Sequence, residues 1–207
     1  MAFEIVVVGT SSGGLKALQT LLSGLPAEFP VPIVMVQHRG KELESGLCEY
    51  LGKRSSLPVS EPEDKEPLLG GHAYLAPRDY HLLLENRSFA LSTAPPFGFA
   101  RPSIDVLFES AADEYKQQAI GVVLTGANSD GARGLAAIKS QGGLAIVEDP
   151  ASAFCSDMPK AAIALTQADW ILPLQDIATR LQKLSESATA RLLTGRKQGE
   201  ATIHHGN

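Results

Sequence analysis

Ile5-Val6-Val7-Val8-Gly9-Thr10-Ser11-Ser12-Gly13-Gly14 is the stretch whose reading decides the fold. The four consecutive β-branched apolar residues Ile5–Val8 read as a strand buried on both faces, because a half-exposed strand would alternate with polar residues. The run stops at a Gly/Ser loop. Beyond it Leu15, Leu18, Leu21, Leu22 and Leu25 recur at helical spacing, and Gly24 is placed to end the helix. A buried strand feeding a helix through a tight glycine loop is the repeating unit of a parallel α/β sheet.

The same alternation continues along the chain. Pro32–Gln37 reads as a second buried strand ending at His38, and the polar stretch Lys41–Arg54 as a helix. Residues 72–92 hold three short strand-like runs, HAYLA, HLLLE and SFALS, with Asn86-Arg87 between the last two at hairpin spacing. Ile104, Leu107, Phe108, Ala111, Ala112 and Tyr115 share one helical face, with Ser103 as N-cap and Pro102 just outside. Ile120–Leu124 is a third buried strand, followed by the loop TGANSDGA and a helix from Ala132. GGLAIVEDP supplies a fourth strand, Pro159–Leu165 a helix, Trp170–Leu172 a short strand and Gln175–Leu184 a last helix. The pattern predicts an α/β fold: a doubly wound, mostly parallel sheet with helices on both faces and an inserted antiparallel hairpin. Residues 1–193 are expected to form one domain, and the polar, glycine-punctuated tail 194–207 to be disordered.

Composition narrows the function. The chain has 207 residues and is 44% hydrophobic, enough for a single core. A net charge of −5 and a pI near 5.5 give no electrostatic footprint for nucleic acid. No apolar run approaches the roughly 20 residues of a membrane span, so no membrane insertion is expected. The start MAFEIVVVGT lacks the charged region and cleavage site of a signal peptide. Cys48 and Cys155 are too far apart for a CxxC motif, which fits a reduced, cytoplasmic setting, and Cys155 is expected in the core.

Gly9-Thr10-Ser11-Ser12-Gly13 is a G-x-S-x-G placed between strand and helix, where a sharp turn lifts the serine above the carboxyl edge of the sheet. The helix N-terminus behind it offers unpaired N–H groups to a developing oxyanion. A plain glycine turn is the alternative without chemistry. A phosphate cradle is the other functional alternative, and it fails in detail. A P-loop needs Lys directly after its glycine, but Leu15 follows Gly14 and Lys16 comes one place late. A dinucleotide fingerprint needs an acidic residue after the second strand, which here ends in Gln37-His38. No cofactor is therefore expected.

A serine hydroxyl needs a base. His38 stands at the end of the second strand and Asp130 in the loop after the third, both on the carboxyl edge that carries Ser11. Taken singly, His38 reads as a loop-edge residue and Asp130 as a turn or cap aspartate; together with Ser11 they form a nucleophile, base and orienting acid. The order Ser-His-Asp differs from the Ser-Asp-His order of α/β-hydrolases. His72 and His81 flank Asp79, but nine residues separate them and no third ligand lies beside them, so no metal is expected.

The segments VVVGTSSGG, VMVQH, GHAYLAPRDYHLLL, RPSIDVLFES, GVVLTGANSDGARGL and DMPKAAI resemble, in sequence and order, the catalytic domain of the CheB protein-glutamate methylesterases. The resemblance covers about residues 4–185. It implies a serine hydrolase that removes methyl groups from glutamate esters on methylated chemoreceptor helices, with deamidation of glutamine as related chemistry. It implies Ser11 as nucleophile, His38 as base, Asp130 as the acid that orients it, and the Ala127 N–H as oxyanion donor, with Ser12 as a second donor. Arg101, in RPS, is expected near the cleft as a holder of substrate carboxylate, with pairing to a nearby acid as the alternative. Asp130→Asn is expected to keep the fold and leave His38 in an unproductive tautomer. Arg39-Gly40 departs from the Met-Pro that usually follows Gln-His in the family. Family members usually carry a receiver domain ahead of the catalytic one. The first strand here starts just after Met1, so gating by phosphorylation of this chain is not expected, and control is expected from a separate receiver or regulatory protein, from expression level or from substrate access. A catalytically idle adaptor of the same fold, and a nucleotide-binding domain, are the competing functional classes.

Overall fold

The computed structural model of the chain describes residues 2–38, 46–98 and 100–186; the tail 194–207 and the Arg39-Gly40 departure lie outside the described residues. In chain order the elements are β1 (Ile5–Thr10), α1 (Gly14–Ser23), β2 (Ile33–Gln37), α2 (Leu47–Gly52), β3 (Val59–Ser60), β4 (Ala73–Leu75), β5 (His81–Glu85) and β6 (Ser88–Ser92). Then follow α3 (Ile104–Tyr115), β7 (Ala119–Val123), α4 (Ala132–Ser140), β8 (Leu144–Glu148), α5 (Asp157–Leu165) and β9 (Trp170–Leu172). A last helix, α6, takes residues 174–186.

Seven strands form one sheet in the order β3-β4-β2-β1-β7-β8-β9, and every pair in it is parallel. β5 and β6 pair antiparallel as a separate two-stranded ribbon, with Glu85 opposite Ser88 across the Asn86-Arg87 turn. Both turn residues have positive φ, which asparagine tolerates best. The chain builds outward from β1 to one edge, then returns to place β7 on the other side of β1. This reversal opens a crevice at the carboxyl ends of β1, β2 and β7, where open α/β sheets bind ligands.

The uniformly apolar strands follow from burial on both faces. Val6 and Val8 of β1 face a core with Leu18, Leu21 and Leu22 of α1, Leu51 of α2, and Ile177 and Leu181 of α6. Ile5 and Val7 face the opposite core, with Leu107 and Phe108 of α3, Leu135 and Ile138 of α4 and Met158 of α5. The ribbon closes that second core with Leu82, Leu84 and Phe89.

Two expectations are refined and one needs correction. Of the helix expected over Lys41–Arg54, residues 41–45 lie outside the described residues; the helix described is Leu47–Gly52, with Gly46 at φ 109° before it, Leu51 as its buried residue and Lys53 as its C-cap. HAYLA, read only as a short strand, lies in the parallel sheet between β2 and β3; the two-residue β3 gave no sequence signal. Cys155 is half-exposed rather than core, because its backbone is what the fold uses.

α3 and α4 approach closely at Gly134, where an added Cβ would lie 2.4 Å from the Phe108 side chain and 3.0 Å from the Asp105 carbonyl oxygen. Relief would have to come from backbone. Gly134→Ala, although it favours helix locally, is expected to destabilise the protein by about 1–3 kcal/mol, as overpacking does. The urea midpoint of the variant against wild type measures this, and an unchanged or raised midpoint would contradict it.

Candidate active site

The crevice is a cleft of about 1080 Å³ whose walls include Ser11, Ser12, His38, Arg101 and Asn128. Each arrives there for a local reason. Ser11 follows the last residue of β1, and the chain then turns into α1 through Gly13 at φ 79°, a conformation that favours glycine. A Cβ there would also lie 2.7 Å from the ring of Phe154. The turn is clamped from both sides. The Ser11 N–H donates to the Thr125 carbonyl at 3.0 Å. The Ser11 carbonyl accepts from Gly14 N–H and from Gln37 Nε2, each at 2.9 Å. Gln37 is the last residue of β2, and His38 follows it into the cleft.

Thr125, one residue beyond the Leu124 that follows β7, ties three loops together. Its hydroxyl lies 2.8 Å from the Ser12 carbonyl, 3.2 Å from that of Cys155 and 2.8 Å from the Cys155 N–H, while its own N–H donates to buried Glu148 at 2.8 Å. Burial pushes the Glu148 carboxyl up, partly offset by that bond. Sequence reading missed Thr125. Its signal, a threonine just past a buried strand, is too common to carry meaning without the partners.

Asp130 and His38 meet directly: His38 Nε2 lies 2.8 Å from Asp130 Oδ2. The carboxylate accepts three further bonds, from the Ser103 hydroxyl and Asp105 N–H on Oδ1, each 2.9 Å, and from Ile104 N–H on Oδ2 at 2.8 Å. Burial opposes ionisation of Asp130, but the His38 bond and the two backbone donors outweigh it and hold the carboxyl below its ordinary range. Ser103, extended at φ −105°, also accepts from Val106 N–H at 3.5 Å, so the cap expected from sequence is present and Asp130 reinforces it. Asp105 returns the favour to α4, accepting from Gly131 and Gly134 N–H at 2.9 and 2.8 Å. Burial pushes the Asp105 carboxyl up, and the nearby Asp130 charge adds to this.

Asn128 completes the cluster: its Oδ1 accepts the Asp130 N–H at 3.0 Å, and its Nδ2 lies 3.2 Å from His38 Nδ1. With Asp130 accepting at Nε2, His38 is the Nε2–H tautomer and Nδ1 is its basic nitrogen. Ala127 is exposed beside it, and its N–H meets no acceptor among the described residues. The Ser12 N–H is equally unpartnered among them. Arg101 lines the cleft, and its Nη1 donates to the Thr93 and Ala94 carbonyls at 3.0 and 3.1 Å; no acid pairs with it among the described residues.

The two other described histidines have structural bonds. His72 Nε2 pairs with the Ser60 hydroxyl at 2.9 Å and its ring stacks on Tyr74. Buried His81 accepts Ser103 N–H at 3.3 Å and donates from Nε2 to the Pro95 carbonyl at 3.1 Å. No group of three or more metal-ligating side chains occurs among the described residues, and no described helix is long and apolar enough to cross a membrane.

A family model described as CheB methylesterase matches residues 6–181. A Leptospira interrogans protein named protein-glutamate methylesterase/protein-glutamine glutaminase is 45% identical over 188 residues, which is 90% of this chain and 97% of that one. Proteins of the same activity name from Anaeromyxobacter dehalogenans and Pseudomonas putida are 41% and 44% identical, and the chain spans 53% of the length of each. The crystal structure of the Thermotoga maritima CheB methylesterase catalytic domain superposes with a TM-score of 0.84 at 37% identity, over 89% of this chain and all of that one.

The four-donor environment adds a stability cost to Asp130→Asn, even where the variant keeps the fold. In either orientation the amide NH₂ would face a backbone N–H, of Ile104 or of Asp105. A loss of about 1–3 kcal/mol at pH 7 is expected from the unmatched donor. Because the native carboxyl titrates below its unfolded value near 3.9, its stabilisation is full above that pH and disappears as pH falls through the lower folded value. The stability gap between wild type and Asp130→Asn should therefore narrow below about pH 4. Urea titrations at pH 7 and pH 3 test this; a gap that widens on acidification contradicts it.

Proposed function

This chain belongs to the CheB methylesterase family, and on that premise we propose that it hydrolyses glutamyl methyl esters on methylated chemoreceptor helices through Ser11, His38 and Asp130. The observation that carries the reading is the 2.8 Å His38–Asp130 pair held beside the Ser11 turn in one cleft. In this mechanism Ser11 Oγ attacks the ester carbonyl while His38 Nδ1 takes its proton. Asp130 holds Nε2–H and stabilises the imidazolium. The Ala127 and Ser12 N–H groups hold the oxyanion, and positive potential at the start of α1 favours the same charge. Collapse of the intermediate expels methanol, which takes the proton from His38. Water then attacks the acyl-enzyme by the same route, leaving a glutamate carboxylate and free Ser11. A glutamine side chain gives the same acyl-enzyme with ammonia as leaving group, so glutaminase activity belongs to the same site.

The charge of the cleft supports an acidic protein substrate. The chain carries a net −5, yet the charged residues lining the cleft are Lys16, Arg78 and Arg101 against Asp79. Arg101 is the proposed carboxylate contact, with Lys16 and Arg78 as its neighbours on the walls. These exposed charges are screened by salt, so KM for methylated receptor should rise between 50 mM and 500 mM salt, with kcat changing less. A KM insensitive to salt would remove charge from the recognition.

Methanol release from methylated receptor is the direct assay. Ser11→Ala should lower it by several orders of magnitude, the scale of losing a serine nucleophile, whereas Ser12→Ala, which keeps its backbone N–H, should cost less than about tenfold. The reverse ranking would move the nucleophile to Ser12, and undiminished activity in both variants would end the serine mechanism.

A further inference from the structure

His38 has two ring nitrogens, and Ser11 can use only one. Nε2 is committed to Asp130, whose carboxylate is fixed in turn by Ser103, Ile104 and Asp105. The nitrogen left for Ser11 is Nδ1. Its lone pair, however, already faces the Asn128 Nδ2 group at 3.2 Å. The Asn128 amide cannot simply be turned round, because its Oδ1 accepts the Asp130 N–H at 3.0 Å and so directs the NH₂ end at the imidazole. A lone pair that accepts from Asn128 cannot at the same moment accept the Ser11 proton. Among the described residues no hydrogen bond joins Ser11 to His38, whereas the Asn128 bond is in place.

We propose that Asn128 is a latch on the general base: its amide occupies His38 Nδ1 in the empty cleft and is displaced when substrate enters. Asn128 is exposed and lines the cleft, so its NH₂ can exchange the imidazole for water at small cost, and a substrate over Ser11 takes the space it occupies. The latch is a positioning device acting through His38. It suits an esterase whose serine stands in an open cleft, because it keeps Ser11 unactivated toward small electrophiles until the cleft is filled. The inference rests on the reading of Ser11 as nucleophile and His38 as base.

The weight of the latch is that of one neutral hydrogen bond at an exposed position, a factor of roughly two to ten. If the competent site is only a fraction of the resting population, substrate affinity is reduced by that fraction, so the latch appears in KM more than in kcat. The test measures inactivation of the purified chain by diisopropyl fluorophosphate, a small probe that phosphorylates an activated serine, and in parallel KM and kcat for methylated receptor. Asn128→Ala removes the amide. Asn128→Ser also cannot reach His38, but retains an oxygen for the Asp130 N–H and so keeps the turn if the alanine variant does not fold. Both variants should be inactivated two to ten times faster than wild type and should show a lower KM. A merely structural role would lower reactivity and raise KM, and that result, or unchanged rates, overturns the latch. A fall of a hundredfold or more in kcat also overturns it, making Asn128 an oxyanion donor instead. Ser11→Ala is the separate control. If it is labelled as fast as wild type, the nucleophile assignment fails, a result distinct from any obtained with Asn128.

Discussion

The carboxylate of Asp130 is the point on which fold and site both depend. It stands at the N-terminus of α3, where two backbone N–H groups and the Ser103 hydroxyl converge on it, and it receives His38 with the remaining capacity of Oδ2. A helix start leaves donors unsatisfied, so an anion there satisfies the helix and is stabilised by it. The same carboxylate therefore stays ionised despite burial, which is the state a partner for an imidazolium requires. Asp105 mirrors the arrangement at α4, accepting from Gly131 and Gly134. The start of α3 is thus held by an aspartate of the loop leading into α4, and the start of α4 by an aspartate of α3, with the close contact of the two helices at Gly134 bringing both within reach.

The nucleophile turn has its own support. Thr125 and Gln37 hold the backbone of residues 10–12 from the strands on either side of β1. Ser11 is consequently placed by main-chain bonds at its N–H and carbonyl, which leaves the side chain free for chemistry. Thr125 also binds the backbone of Cys155, so the segment before α5 is anchored to the turn and Phe154 is brought over Gly13. A change at any of these polar residues acts on Ser11 through backbone geometry.

Much of the architecture was legible in the sequence because burial on both faces leaves a strong trace. Ile5–Val8, Ile33–Val36 and Ile120–Val123 have no polar residue to place outward, and the helices between them repeat their apolar residues at helical spacing. The weak points were elements with little burial. The described helix α2 has a single buried residue and stops at Gly52, short of the expected Arg54, and the two-residue β3 left no pattern. HAYLA was recognised as a strand, but period and composition say nothing about which neighbour a strand chooses. Its place in the parallel sheet is set by β2 and β3, which are remote in the chain.

The sequence by itself determined the strand–loop–helix frame and, through residue types at successive strand ends, which serine, histidine and aspartate share one edge of the sheet. That follows because parallel strands put all their carboxyl ends on the same side. Only the tertiary structure decided which nitrogen of His38 faces Asp130, that Asp130 also caps α3, that Arg101 is tied to backbone carbonyls, and that Asn128 holds the other ring nitrogen. Most of those facts join loops far apart in the chain: Asp130 lies 92 residues from His38 and 26 from Ile104, and Asn128 lies 90 from His38. Hydrogen bonds are short-ranged and directional, so their pairing is fixed by packing in three dimensions and not by any local pattern of residues.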